Sequence, residues 1–368
     1  MKVCSQTSWA YPKEGQILLM KILTDQKTII LRSILILIIV LMTSYLTLAN
    51  ENLQNNELVV YVNFHEEEAK RLLDLFSYQT DIDYTFLKMT SQNTNKRVIA
   101  EKDNPRADII LGGPADNHQL LADMNLLKKY KSAEAVNVSK QFKSEAGFWT
   151  GIYLGPISIA VNENLWQEEF SDIALEKPKS FTDLLNPVFK GKIVMPDPHS
   201  SGTAFTFIAS IIQLWGKEKS KNYFSGLDEN VALYTENGFT PARMAALGDY
   251  MIAVNFLHDQ KLMLRNGFNL SYNIPPLAGW EIGCVSIIDN SPNPVAAEKF
   301  IDYILSKEAA LLHQELTERI PTRKDVDING EYVDIFDYSI NKEYDIFEAA
   351  QNKEEYLKIW DQSINLNN

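Results

Sequence analysis

Strand-like runs that alternate with helical periodicity constrain this fold more than any other feature of the chain. Leu58–Val62 (LVVYV) has no polar break, as a strand buried on both faces requires. An amphipathic stretch follows, roughly Glu66–Tyr78. Ile82–Leu87 reads as a second strand, with a polar helix near Asn93–Lys102. Asp108–Leu111 (DIIL) is a third strand ending at Gly112-Gly113-Pro114, and a helix starts at about Asp116. Strand, helix, strand, helix predicts an α/β fold built from right-handed βαβ units. Such sheets bind ligands outside the carboxyl ends of their strands. That rule sets Asn63, Phe64 and His65 on one rim with Gly113 and Ala115.

The alternation continues. Thr150–Val161 (TGIYLGPISIAV) is apolar and long enough to cross between two lobes. Ser180–Val188 reads as a capped helix ended at Pro187. Val231–Tyr234 ends at Thr235-Glu236-Asn237-Gly238, and a helix runs from about Pro241 to Ala246. Tyr250–Phe256 is a buried strand with Leu257-His258-Asp259 at its carboxyl end. Ile282–Ile288 is apolar again, just after Glu281. Pro294–Leu305 and Ala309–Leu316 are helices by periodicity, and the tail Asp325–Asn368 is acidic, aromatic and partly helical.

One segment carries chemistry. Ile193–Met195 is a short strand, followed by a Pro-bounded loop and then Ser200-Ser201-Gly202-Thr203 opening an apolar helix. The first turn of a helix has unpaired N–H groups and partial positive charge. Small hydroxyl residues and a glycine there let an anion reach the backbone. The segment reads as a cradle for a phosphate, phosphonate or carboxylate. Ser201 or Thr203 as a plain N-cap is the other reading of the same residues.

The N-terminus bears on export. Ser33–Leu48 is sixteen residues without a charge, short of the ~20 a membrane span needs. Lys21, Lys27 and Arg32 precede it, and small residues flank a cut after Ala49, the pattern of a secretory signal. Residues 1–49 are read as that signal, and a start at Met20 gives it ordinary length. An uncleaved membrane anchor is the alternative. Residues 1–49 hold five of the 35 Lys/Arg and two of the 48 Asp/Glu, leaving 30 basic and 46 acidic residues, a formal −16. That argues against nucleic acid and anionic lipid as partners. Cys284 is the one cysteine after the cut, so no internal disulfide and no cysteine-based zinc site is expected.

Taken in order, several segments resemble an extracellular solute-binding protein of an ABC importer, of the type II periplasmic binding group that takes ferric ion, 2-aminoethylphosphonate or sugar phosphates. They are LVVYVNFHEEEAKRLLDLF, RADIILGGPAD, FWTGIYLGPISIAVNENLW, KPKSFTDLLNPVFKGKIVMPDP, SSGTAF, LGDYMIAVNFLHD and PNPVAAEKFIDYILSKEAALL before IPTR. The resemblance spans about Glu57 to Arg323. It implies a two-lobed type II periplasmic binding protein fold with a ligand cleft between the lobes. Lobe 1 would be 57–154 plus about 275–312, and lobe 2 155–274 plus 313–368. Closure by a hinge, recognition by an inner-membrane permease, a periplasmic location and a monomer follow from the same resemblance. No reaction on the ligand and no cofactor are implied.

The ligand is read from departures. Iron-binding members use two adjacent tyrosines, which would fall near Asn255-Phe256-Leu257-His258. Phe256 and Leu257 are apolar there, so hard anionic oxygen ligands are missing, although His65 stands where such members carry a histidine. Sugar-phosphate binders carry a His-Asp pair with a downstream Glu, matched by His258, Asp259 and Glu281. These suit sugar hydroxyls or the ammonium of an aminophosphonate. Ser200, Ser201, Gly202 and Thr203 would hold the phosphoryl oxygens, with Asn63, His65, Gly113 and Asn237 around them. Trp149, Tyr153 or Trp280 would stack on an apolar face. The expected ligand is a small anionic solute with a phosphoryl or phosphonyl group and no bound metal. Iron is the runner-up. A secreted phosphoesterase using His65, His258, Asp259 and Glu281 is the reading from another class, but the chain has no Gly-x-Ser-x-Gly elbow, His-Glu-x-x-His or P-loop.

Overall fold

The computed structural model describes residues 33–34, 36–43, 57–327 and 334–364. Contacts divide the chain into two units, Met1–Asn56 and Glu57–Asn368. In the first, Ser33, Ile34 and residues 36–43 are helical. Among the described residues no helix is long and apolar enough to cross a membrane. The expected start at Met20 and the cut after Ala49 lie outside the described residues.

The second unit is an α/β body. Its first part runs β1 (Glu57–Val62), α1 (Glu66–Thr80), β2 (Asp83–Lys88), α2 (Ser91–Ala100), β3 (Ile109–Pro114), α3 (Ala115–Asp123), β4 (Leu127–Lys128) and β5 (Thr150–Asn162). Then come α4 (Glu163–Phe170), β6 (Ile193–Pro196), α5 (Gly202–Trp215), α6 (Lys217–Asp228), β7 (Val231–Thr235), α7 (Thr240–Leu247), β8 (Ile252–Phe256) and α8 (Leu257–Arg265). The chain closes with β9 (Leu270–Asn273), β10 (Trp280–Ile288), α9 (Pro294–Ile304), α10 (Lys307–Thr317), β11 (Ile320–Pro321), α11 (Ile346–Gln351) and α12 (Lys353–Asp361).

Among the described residues the strands order as β2-β1-β3-β10-β5-β8-β6-β7. β1 pairs in parallel with both β2 and β3, as the opening βαβ pattern requires. β6 is parallel to β7 and β8. β5 joins the two sets. Thr150–Pro156 runs antiparallel to β10, and Ile157–Val161 runs antiparallel to β8. All thirteen residues of β5 are buried, which explains its unbroken apolar sequence.

Helix faces follow the sequence. On α1, Ala69, Leu72, Leu73 and Phe76 recur at helical spacing, and none has exposed surface. α5 is apolar nearly all round and has eleven buried residues, as a helix packed on several sides must. One expected helix is absent. Ser180–Val188 forms two 3₁₀ turns, Thr182–Leu185 and Pro187–Phe189, rather than one α-helix. Pro187 lacks an N–H and forces Asn186 out of helical geometry, so the turn cannot propagate. The tail is helical at α11 and α12, and buried Lys353 of α12 donates to Asn117 Oδ1 at 2.7 Å on α3.

Candidate functional site

Six helices begin at one cavity. The residues at their N-caps are His65 (α1), Thr90 (α2), Pro114 (α3), Ser201 (α5), Phe239 (α7) and Phe256 (α8). All six line a cavity of about 320 Å³. Four strands point their carboxyl ends at it, namely β1 through Asn63, β2 through Lys88, β3 through Gly113 and Pro114, and β8 through Phe256. Each helix start adds unpaired N–H groups and the positive end of a dipole. The parallel topology therefore focuses positive potential on one small volume.

Hydroxyl groups line the same space, from Thr90, Ser91, Ser201, Thr203 and Thr240. Ser201 sits at the N-cap of α5 but makes no side-chain capping bond, so its hydroxyl is not consumed by its own helix. Close backbone approach shapes the wall. A Cβ on Gly202 would lie 2.7 Å from Pro114 Cδ and 2.8 Å from Ser91 Oγ. Gly113 has φ of +87°, which a side chain rarely adopts.

A polar network forms the floor. Arg319, 2% exposed, lies under the cavity with its guanidinium carbon 4.0 Å from the Tyr153 ring centre. Its Nε donates to Glu68 Oε1 at 3.1 Å and Oε2 at 3.2 Å. Its Nη1 donates to His258 Nε2 at 2.8 Å. A guanidinium cannot accept, so the proton of His258 resides on Nδ1. Burial, reinforced by the Arg319 charge, drives the His258 pKa down to about 3. Burial would raise Glu68, but the Arg319 charge and the His313 hydrogen bond outweigh it and bring Glu68 down to about 2. Burial pushes the Glu281 carboxyl well above the usual range, and the Arg319 charge offsets this only in part, so the protonated form is favoured. Burial would likewise raise Asp259, yet His258, His65 and Arg319 keep it below its usual value. His65 Nε2 donates to Asp259 Oδ1 at 3.1 Å, joining the start of α1 to the first turn of α8.

Ten of the eleven residues expected at the site line this cavity: Asn63, His65, Gly113, Ser201, Gly202, Thr203, Asn237, His258, Asp259 and Glu281. Ser200 does not. Its hydroxyl donates to the Glu236 carbonyl at 2.7 Å and the Asp197 carbonyl at 3.3 Å, because the chain turns there before α5 begins. Glu281 is a buried residue of β10, not a solvated loop residue. Asn237 lines the cavity and also shapes its turn, its Oδ1 accepting from the Thr240 N–H at 3.0 Å. Of the aromatics, Tyr153 lines the cavity, whereas Trp149 and Trp280 do not; their indoles donate to Gln119 Oε1 and the Asn341 carbonyl. Arg319, Lys88, Thr90, Ser91, Thr240 and Arg243 were not expected. Thr90 carried a legible signal, as a threonine opening a polar helix. Arg319 carried none, since its partner Glu68 is 251 residues away.

The buried groups make acid destabilising. His258, held near 3, and His118, held near 4 by burial, stay neutral when folded but gain a proton below about 6.5 when unfolded. The unfolded chain then binds more protons, so stability falls as pH drops from 6.5 towards 4.5. Glu281 opposes this, because its raised carboxyl holds a proton that the unfolded chain has lost. Two imidazoles outweigh one carboxyl, so the net slope still runs towards lower stability in acid. Urea unfolding at pH 6.5, 5.5 and 4.5 measures that slope, and Glu281→Gln should steepen it. A flat wild-type profile would contradict neutral imidazoles.

The chain matches one family model and several known proteins. Residues 104–331 match the family model described as bacterial extracellular solute-binding protein. An uncharacterized protein of Haemophilus influenzae is 31% identical over 322 residues, covering 84% of this chain and 91% of that protein. The periplasmic binding protein AfuA from Actinobacillus pleuropneumoniae, solved with exogenous fructose-6-phosphate bound, is similar with a TM-score of 0.79 and 30% identity, over 84% of this chain and 99% of that one. Iron-bound HitA from Pseudomonas aeruginosa has a TM-score of 0.72 at 19% identity over 83% and 99% of the two chains, a likeness of fold alone.

Proposed function

This chain belongs to the bacterial extracellular solute-binding protein family, and from that premise we propose that its cleft takes a small compound bearing a phosphoryl or phosphonyl group. The chain has the type II periplasmic binding fold. It is the substrate-binding component of an ABC importer and not an enzyme. One observation carries the ligand reading: six helix N-termini and the hydroxyl residues Thr90, Ser91, Ser201 and Thr203 meet around a single cavity. Phosphoryl oxygens accept hydrogen bonds only, and donors of this kind match them. The likeness to a protein solved with fructose-6-phosphate supports it.

The rest of the ligand would meet the floor. Protonated Glu281 can give a hydrogen bond, and ionised Asp259 accepts. That combination suits sugar hydroxyls, and Asp259 also suits an ammonium. Iron is less well served: Phe256 and Leu257 stand where the resemblance puts the tyrosine pair, and burial raises the Tyr153 phenol well above its usual value.

The lobes are assigned as 57–154 with about 275–312, and 155–274 with 313–368, hinged where β5 changes partners. Contacts that join the lobes so assigned include His65 with Asp259, Gln92 Nε2 with the Pro198 carbonyl at 3.4 Å, Asn93 Nδ2 with Glu236 Oε1 at 3.5 Å, and Arg319 with Glu68. Residues 1–49 would direct the protein to the periplasm. There, as a monomer, it would deliver a small anionic solute to the inner-membrane permease.

Titration calorimetry with fructose 6-phosphate tests the reading. The double variant Ser201→Ala, Thr203→Ala should bind at least about tenfold more weakly, at about 1 kcal/mol per hydroxyl bond, with an unchanged unfolding midpoint. An unchanged dissociation constant would remove the cradle.

A further inference from the structure

We propose that Lys88 and Arg243 are the charge-selecting residues of this cleft and make it prefer a doubly charged phosphoryl group to a singly charged ester. The inference rests on the phosphoryl reading above. Its starting point is a shortage of positive charge inside the cavity. The buried guanidinium of Arg319 is occupied by Glu68, which accepts from its Nε at 3.1 and 3.2 Å. Asp259 adds a second buried carboxylate to the same floor. Glu281 and His258 contribute no full charge, being held neutral by burial. One cation therefore stands against two anions. The helix N-termini and hydroxyl groups supply dipoles rather than full charges, so a second full negative charge gains most from a nearby cation.

Only two other cationic side chains line the cavity among the described residues, and they belong to the segments that bring the hydroxyls. Lys88 ends β2, two and three residues before Thr90 and Ser91. Arg243 is three residues after Thr240 in the first turns of α7, on the same helix face. Both are exposed, so they meet solvent at the mouth. Neither is held by a carboxylate, unlike Arg319 or Arg323. In a chain of formal charge −13, two free cations at the mouth of an anion cavity oppose the overall field. A phosphoryl group seated on the hydroxyls would turn its remaining oxygens towards them. A sulfate ester has the same tetrahedral shape and one charge fewer, so shape alone cannot separate the two.

Calorimetry with fructose 6-phosphate and fructose 6-sulfate, across a salt series, tests this. Wild-type protein should bind the phosphate at least about tenfold more tightly than the sulfate, since charge-assisted bonds are about twice as strong as neutral ones. Lys88→Gln with Arg243→Gln should reduce phosphate affinity by about tenfold, leave sulfate affinity within about threefold and flatten the salt dependence. Both sites are exposed, so the unfolding midpoint should not move. A double variant that keeps the wild-type phosphate-to-sulfate ratio overturns the proposal and leaves the phosphoryl reading intact. Wild-type protein that binds neither fructose 6-phosphate nor inorganic phosphate refutes the phosphoryl reading, and this inference with it.

Discussion

Arg319→Met should remove about 3–5 kcal/mol of folding stability and most of the ligand affinity together. The reason lies in what the arginine leaves behind. Glu68 Oε1 accepts from His313 Nδ1 at 2.6 Å, Thr317 Oγ1 at 2.8 Å and Arg319 Nε at 3.1 Å. Glu68 is 2% exposed, so without the guanidinium its charge would be stranded in low dielectric. Its pKa, held near 2, would rise and the group would protonate. His258 would lose the donor that fixes its tautomer, and the Tyr153 ring would lose its cation. Urea unfolding measures the first effect. Adding Glu68→Gln should restore part of the stability, because the stranded charge is gone, while affinity stays low. A single variant within 1 kcal/mol of wild type would show that the network does not hold the floor together.

Arg319 also marks where reading the sequence stops. The alternation of elements was legible because local pattern determines it. LVVYV and YMIAVNF became buried strands, and the GTAF helix start became α5. Knowing that parallel strands share one ligand rim was enough to bring Asn63, Gly113, His258 and Thr203 together, although they are distant in sequence. The resemblance added Asp259 and Glu281. What stayed hidden depends on contacts that no periodicity encodes. Arg319 follows α10 through a left-handed Glu318 and meets a glutamate at the other end of the chain. Ser200 was expected in the cradle because it adjoins Ser201, yet one turn of backbone separates a cavity hydroxyl from one spent on carbonyls. Trp149 and Trp280 looked like stacking surfaces from residue type alone, and each proved to be anchored by its indole N–H elsewhere.

Gly238→Ala should weaken binding of fructose 6-phosphate by more than about tenfold while touching no ligand atom directly. A methyl group there would run into Thr203 Oγ1 and lie 2.9 Å from Thr203 Cβ. The hydroxyl tip can rotate, but Cβ is fixed to the backbone of α5, so the loop after β7 and the start of α5 must separate. Overpacking of this kind takes about 1–3 kcal/mol of stability. The displacement falls on the hydroxyl and N–H donors that the cradle needs, and a shift of 1 Å removes a hydrogen bond from its working distance. Gly226→Ala is the control. Its methyl would meet only Leu185 Cδ2 at 3.3 Å, inside α6, where alanine is the better helix former. That variant should bind normally and be no less stable. If Gly238→Ala also bound normally, the contact between its loop and Thr203 would be adjustable, and the anion would have to be held by the α2 and α3 side of the cavity instead.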